Sequence, residues 1–252
     1  MSPCLALDDV HVRLGRAAQA ALSGVTLRVQ VGERVALVGA NGSGKSTLLR
    51  VLMGLLPVQQ GQIWRAPDLR VALVFQQPYL LRMSALHNVA LALWWQGRPW
   101  RQARERAQQA LHAVGLGGCA HRPARTLSGG QQQRLALARA WAQQPHVWLL
   151  DEPTASLDPH ASAEVEALIR AFAAGAAPAD LAPAAPGQQA AQGRTLVFSS
   201  HHLGQVRRLA SRVVYLEAGR IRADVPVDVF FDAQRLGQHS REALAFLQAE
   251  MP

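Results

Sequence analysis

Between residues 5 and 38 apolar and polar positions alternate, with Val25, Leu27, Val29 and Val31 separated by Thr26, Arg28 and Gln30. A period of two buries one face of an extended chain and wets the other, so this stretch predicts a short β-rich lobe. At its end, Arg34–Val38 is apolar on both faces and enters a glycine-rich turn, after which residues 46–56 read as a helix stopped by Pro57. From 78 to 125 the period lengthens to that of a helix. Leu86, Val89, Ala90 and Leu93 share one stripe, and the charged segment 101–106 reads as a solvated helix face. At Ser128 a new helix opens. Gln131 stands three residues on, the spacing of a capping box, and the helix is expected to run to Gln144 before Pro145.

Residues 147–150 are wholly apolar, as in a strand buried on both faces of a parallel sheet. Val165, Leu168, Ile169 and Phe172 then recur at helical spacing and are expected to pack into the core. Residues 173–193 are rich in Ala, Pro, Gly and Gln without apolar periodicity and read as a flexible surface insertion. Residues 195–198 resume the sheet, 212–221 look like a hairpin turning at Ala218 and Gly219, and 241–248 look like a terminal helix. No internal repeat is visible.

Composition narrows the partner classes. A chain of 252 residues that is 49% hydrophobic has room for one large α/β domain, or two small lobes sharing a core, and disorder is not the default. No apolar run approaches the length of a bilayer span, and the N-terminal MSPCLALDDV lacks a charged region followed by an apolar one, so the cytosol is the expected compartment. Cys4 and Cys119 are isolated and read as ordinary thiols. The formal charge of +9 and pI near 11.2 fit nucleic acid, an anionic membrane surface or a small polyanion, or merely a biased residue usage. Nearly every basic residue is arginine. The one lysine is Lys45.

That lysine lies in Gly39-Ala-Asn41-Gly42-Ser43-Gly44-Lys45-Ser46-Thr47, which satisfies GxxxxGK[ST] between an expected strand and an expected helix. Glycines let backbone N–H groups face inward, and the helix N-terminus adds positive potential for phosphates. Lys45 would bridge β- and γ-phosphates, and Ser46 would hold Mg²⁺. After the buried strand, Asp151 can reach the Mg²⁺ shell and Glu152 can polarise a water towards the γ-phosphate. Ser128-Gly129-Gly130-Gln131 exposes backbone donors and a hydroxyl at a positive helix end, a second anion site.

Taken in order, the phosphate loop, Leu127-Ser128-Gly129-Gly130-Gln131, the acid pair and His201 after Ser199-Ser200 resemble the ATPase subunits of ATP-binding cassette transporters over roughly residues 5–222. The resemblance implies an α/β fold: a P-loop NTPase core, a mixed sheet flanked by helices, with an antiparallel β lobe and a helical subdomain over about 78–143 carrying the signature stretch. A short tail over 223–252 completes a single nucleotide-binding domain. It implies ATP and Mg²⁺ as cofactors, Glu152 as general base and Asp151 as Mg²⁺ partner. His201 would contact the γ-phosphate, Gln76 would sense Mg²⁺ and water and link core to helical lobe, and Asp158 would communicate across a dimer. It implies a head-to-tail pair in which Ser128 and Gly130 of one copy cap the nucleotide held by the other. Two departures stand out. Leu14 replaces the usual aromatic that stacks on adenine, implying weaker base affinity or looser base choice, and His202 stands where an acid is common.

The leading expectation is the energising subunit of a multi-subunit importer. It would sit peripherally on the cytoplasmic face of a bacterial membrane, partnered by a permease and indirectly by a substrate-binding protein, with no nucleic acid. A soluble cassette acting on another assembly, as in iron–sulfur cluster biogenesis or DNA repair, is the alternative; the sustained heptads usual in repair members are absent. A degenerate, nucleotide-binding cassette is the third, against which Glu152 and His201 speak. The chain ends about thirty residues beyond the cassette, too short for an added regulatory β-domain. Residues 84–89 and 202–231 are similar to cassettes of tungstate and related oxyanion importers.

Overall fold

The computed structural model describes residues 3–15, 19–175 and 194–250. Two sheets organise them. Strands β1 (Pro3–Leu14), β2 (Gln19–Gln30) and β4 (Gln60–Arg65) form an antiparallel lobe in the order β2-β1-β4. Six strands form the central sheet: β3 (Arg34–Val38), β5 (Val71–Val74), β6 (Val147–Asp151), β7 (Thr195–Ser199), β8 (Arg212–Glu217) and β9 (Arg220–Pro226), ordered β5-β6-β7-β3-β8-β9. All run parallel except β9, which returns from β8 through the expected turn. There Ala218 and Gly219 both have positive φ, 47° and 74°, matching the twist of a tight hairpin. The fold is thus the mixed α/β arrangement anticipated, with the antiparallel lobe set against one face of the sheet.

Alternation along each buried strand divides the core in two. Val35, Leu37, Leu149 and Val197 pack with the inner face of the lobe and with α1 (Lys45–Met53). Ala36, Val38, Trp148, Leu150 and Phe198 point the other way, towards α2 (Ala85–Trp95), α3 (Trp100–Ala113), α4 (Gly129–Ala142) and α5 (Pro159–Ala173). The four residues of the predicted 86–93 stripe are all buried, as are Val165, Ile169 and Phe172, while Leu168 is partly buried. Truncating a side chain such as Phe198, fully enclosed here, costs about 3–5 kcal/mol.

Several boundaries differ from the sequence reading for identifiable reasons. α1 ends at Met53 because Gly54 turns left-handed and caps it with its N–H on the Arg50 and Val51 carbonyls, leaving Leu55 54% exposed. Val31 is 52% exposed: β2 ends at Gln30, and Gly32 turns the chain before Val31 can join the buried face. The helical stretch 78–125 is broken by Gly97 and Gly115, both at positive φ, into α2, α3 and two short 3₁₀ turns. α4 closes at Ala142, with Gln144 already left-handed. Strands β4 and β5 lack a clear alternation, and α6 (Leu203–Leu209), α7 (Val227–Phe230) and α8 (Ala233–His239) are too short for a period to show; none was anticipated. The expected terminal helix is α9 (Arg241–Glu250). Of the expected insertion, Ala173 closes α5 and residues 176–193 lie outside the described residues.

Candidate active site

Parallel strands deliver their C-terminal ends to one edge of the sheet, and the site is built there. β3 leads into the loop 39–44, whose shape is imposed by its neighbours. A Cβ on Gly39 would collide with the Leu216 carbonyl oxygen, and one on Gly44 would meet that of Ala21 at 2.8 Å. Both glycines also hold positive φ. The β8–β9 turn clamps the loop from outside: Gly219 N–H donates to the Ser43 carbonyl at 2.9 Å, and its own carbonyl accepts from Ser23 N–H at 2.9 Å. A Cβ on Gly219 would stand 2.7 Å from the Ala21 oxygen.

Lys45 opens α1 and is buried; its ammonium donates to the Gly39 and Ala40 carbonyls at 2.7 and 3.0 Å. Burial holds its pKa below the usual lysine value, while the nearby Glu152 and Asp151 charges act in the opposite direction. Ser46 Oγ donates to Asp151 Oδ1 at 2.9 Å. Asp151 ends β6 almost completely buried, opposite Ser199 in the ladder. Ser199 Oγ donates to the same Oδ1 at 2.7 Å and accepts Glu152 N–H at 2.9 Å. One hydroxyl therefore fixes both acids. Glu152 is itself left-handed, at φ 44°, a conformation that a non-glycine residue keeps only when its surroundings enforce it.

The twist at Glu152 carries its carboxylate to two further polar groups. Gln76 Nε2 donates to Oε2 at 3.2 Å, and His201 Nδ1 stands 3.4 Å from the same oxygen. Gln76, Glu152 and His201 are thus gathered beside the phosphate loop, along one cleft of about 990 Å³. Leu14, 38% exposed, lines that cleft together with residues 39–47. So do Phe246 and Glu250 of α9, which no local pattern announces. His202 leans against His201, with ring centroids 4.1 Å apart and planes inclined at 41°. Its pKa is depressed by burial first and by His201 second, with Glu152 opposing. Beside the rings, buried Gln205 Nε2 donates to buried Thr154 Oγ1 at 3.1 Å, tying α6 to the loop after Glu152.

Ser128–Gln131 is not brought to this cleft. Ser128 caps α4 reciprocally: its Oγ accepts Gln131 N–H at 3.3 Å while Gln131 Oε1 accepts Ser128 N–H at 3.1 Å, the capping box expected. Gly130 sits so close to α5 that a Cβ would come within 2.8 Å of Ala161 Cβ. Asp158 caps α5 by accepting Ala161 N–H at 2.8 Å and lies off the cleft. Neither cysteine is paired, and among the described residues no group of three or more His, Cys, Asp or Glu could hold a metal ion. Ser46 and Asp151 nonetheless offer two hard oxygen donors in contact, which suits a Mg²⁺ that completes its shell with phosphate and water.

Comparison with known proteins agrees with this geometry. The family described as ABC transporter matches residues 22–155. The chain is 40% identical over 228 residues to the nickel import ATP-binding protein NikO of Rhodobacter capsulatus, spanning 82% of this chain and 83% of that one. It is 37% identical over 226 residues to the glutamate/aspartate import ATP-binding protein GltL of Escherichia coli K12, spanning 84% and 87%. Among solved structures, the dimeric post-hydrolysis state of the ATP-binding cassette MJ0796 bound to ADP and Pi matches with a TM-score of 0.73 at 28% identity, over 88% of this chain and 98% of that one. The fold is shared with cbiO1 from Clostridium perfringens, at a TM-score of 0.74 and 24% identity over 98% and 100%.

Proposed function

The chain belongs to the ABC transporter family, as an ATP-binding ATPase, and on that premise we propose that it powers a multi-subunit importer by closing as a dimer around two ATP molecules. The observation that carries the reading is the convergence of Gln76, Glu152 and His201 beside Lys45 at one sheet edge, with Asp151 and Ser46 in contact. Lys45 would exchange its loop carbonyls for β- and γ-phosphate oxygens, which restore the charge stabilisation that burial withholds. Ser46, Asp151 and Gln76 would hold Mg²⁺, which when bound draws negative charge off the γ-phosphate. Glu152 accepts the proton of an attacking water, and His201 donates to the γ-phosphate.

Ser128, Gly129, Gly130 and Gln131 would complete the site of a second copy, because in their own chain they lie away from the cleft. Asp158, at the exposed start of α5, would lie between the copies. Support for pairing comes from the MJ0796 cassette, whose structures are dimeric. We place the pair on the cytoplasmic face of a membrane, on permease subunits, with residues 78–143 as the lobe that carries the signature. No helix among the described residues is long and apolar enough to cross a bilayer. For cargo we propose an oxyanion such as tungstate, delivered by a binding protein. The likeness of residues 84–89 and 202–231 supports it.

Two experiments test these readings. Glu152→Gln should lower steady-state phosphate release from MgATP by about 10²–10⁴ while ATP still binds and a stable dimer accumulates on gel filtration; turnover near the parent rate removes Glu152 from its role. Titrating the binding protein encoded beside the gene with tungstate, molybdate, sulfate, Ni²⁺ and glutamate decides the cargo, and binding of the metal ion or the amino acid alone overturns the oxyanion assignment.

A further inference from the structure

The corner between α2 and α3 carries the sequence Trp94-Trp-Gln-Gly-Arg98-Pro-Trp100-Arg101-Gln-Ala-Arg104. Residues 94–102 are exposed throughout, with Trp94 at 51%, Trp95 at 81% and Trp100 at 40%. The rings are ordered: Trp100 stacks on His87 with centroids 5.8 Å apart and meets Trp94 edge-on at 6.4 Å, while Gly97, at φ 88°, turns the corner. Beside them, Trp100, Arg101, Arg104, Gln108 and His121 line a shallow cleft of about 420 Å³. Its single acid, Glu105, accepts from Arg101 Nε at 3.1 Å on an exposed face.

We propose that this corner is a membrane-contact surface that takes anionic phospholipid, the tryptophans entering the headgroup layer and Arg98, Arg101 and Arg104 meeting its phosphates. Indole rings with an apolar body and a polar N–H settle at a bilayer interface, and arginines beside them snorkel to the charged layer. Docking onto a folded protein asks for opposite charges in register. This segment offers three arginines against one glutamate on an exposed corner, which suits a surface of uniform negative charge, and the chain as a whole carries +9. The placement leaves the nucleotide chemistry free. Gln96 Nε2 donates to Gln143 Oε1 at 2.9 Å, fixing the corner to the C-terminal end of α4, whereas Ser128 caps the N-terminal end. Fourteen residues of helix separate the two by about 21 Å.

The experiment is co-sedimentation of the full chain with vesicles of phosphatidylcholine alone or with phosphatidylglycerol at about one lipid in three, at low and high salt. Binding to the anionic vesicles only, weakened by salt, is expected. Each of Arg98→Gln, Arg101→Gln and Arg104→Gln should lower the partition coefficient about fivefold, and the double substitution Trp94→Ser with Trp95→Ser roughly tenfold or more. Phosphate release from MgATP by these variants should stay at the parent level, which separates failure here from failure of the ATPase reading. Equal binding to neutral and anionic vesicles, an unchanged partition in the Trp94/Trp95 variant, or a loss that appears only with the permease reconstituted would each overturn the proposal, the last in favour of a protein partner.

Discussion

Ser199→Ala offers the sharpest test of how the acid pair is held. The hydroxyl is fully buried, donates to Asp151 at 2.7 Å and accepts Glu152 N–H at 2.9 Å. Its removal strips a charge-assisted bond from Asp151, about 1.5–3 kcal/mol, and leaves a half-buried N–H without its partner, about 1 kcal/mol. Asp151 retains Ser46, and the two losses share one atom, so a combined cost of about 2.5–4 kcal/mol is the working figure. For a chain of this size that lowers Tm by about 5–16 °C. Function should suffer separately. Without the bond at its amide, Glu152 loses part of what enforces φ 44°, and its carboxylate drifts from Gln76 and His201. Expected at 20 °C, well below the transition, is a kcat reduced about 10–100-fold by misplacement of the base. The Kd for ATP should change less than threefold, because Lys45 and the loop are untouched. Calorimetry, phosphate release and a nucleotide titration on one preparation read all three. A Tm drop below 2 °C together with an unchanged kcat would refute the argument that this hydroxyl organises the pair.

Three further outcomes follow from the geometry. Ser128→Arg should leave ATP affinity of the single copy within about twofold and abolish the ATP-dependent shift to dimer on gel filtration; a retained shift would detach this residue from the neighbouring copy's nucleotide. Leu14→Tyr supplies an aromatic face at the cleft, and stacking worth about 1–3 kcal/mol should tighten ATP roughly 5–150-fold by titration, so equal affinity would place adenine elsewhere. His202 titrates in the fold below the 6.5 of the free side chain. Above that pH both folded and unfolded forms are neutral; as the pH falls through 6.5 the unfolded chain takes the proton first, so stability declines towards the folded pKa. His146 is depressed in the same direction. His202→Ala should therefore show a shallower fall of Tm between pH 7 and 5 than the parent, and parallel profiles would contradict the assignment.

Much of this was legible in the sequence where period and chemistry coincide. The wholly apolar 147–150 run announced a parallel strand covered on both faces, and the acids after it had then to stand at the sheet edge. Ser128 and Gln131 announced a cap whose bonds are both present. Legibility failed where tertiary contact decides. Gly54 is itself a stop for α1, masked in the pattern by apolar Leu55 and Leu56 before Pro57; β5 is an apolar run of only four residues, and nothing in β4 alternates enough to be heard. Ser199 carried a signal, a hydroxyl closing an apolar run, but its role needed the ladder that sets it opposite Asp151. Phe246 and Glu250 carried none, since a terminal helix reaches the cleft only through the packing of everything before it.

The clamp on the phosphate loop changes how sequence variants of this protein should be interpreted. Ala21 and Leu216 sit in other strands and Gly219 in the turn between β8 and β9, away along the chain from Lys45, yet their backbones dictate where Gly39 and Gly44 can lie. A random screen for clones that lose nucleotide should therefore return hits around residue 219 as readily as in the loop itself. Such alleles would be mistaken for folding lesions by anyone who inspected only the motif. Second-site revertants of a Gly219 substitution, in turn, should cluster near Ala21 rather than near the phosphates, which gives geneticists a map of the site drawn without any ligand.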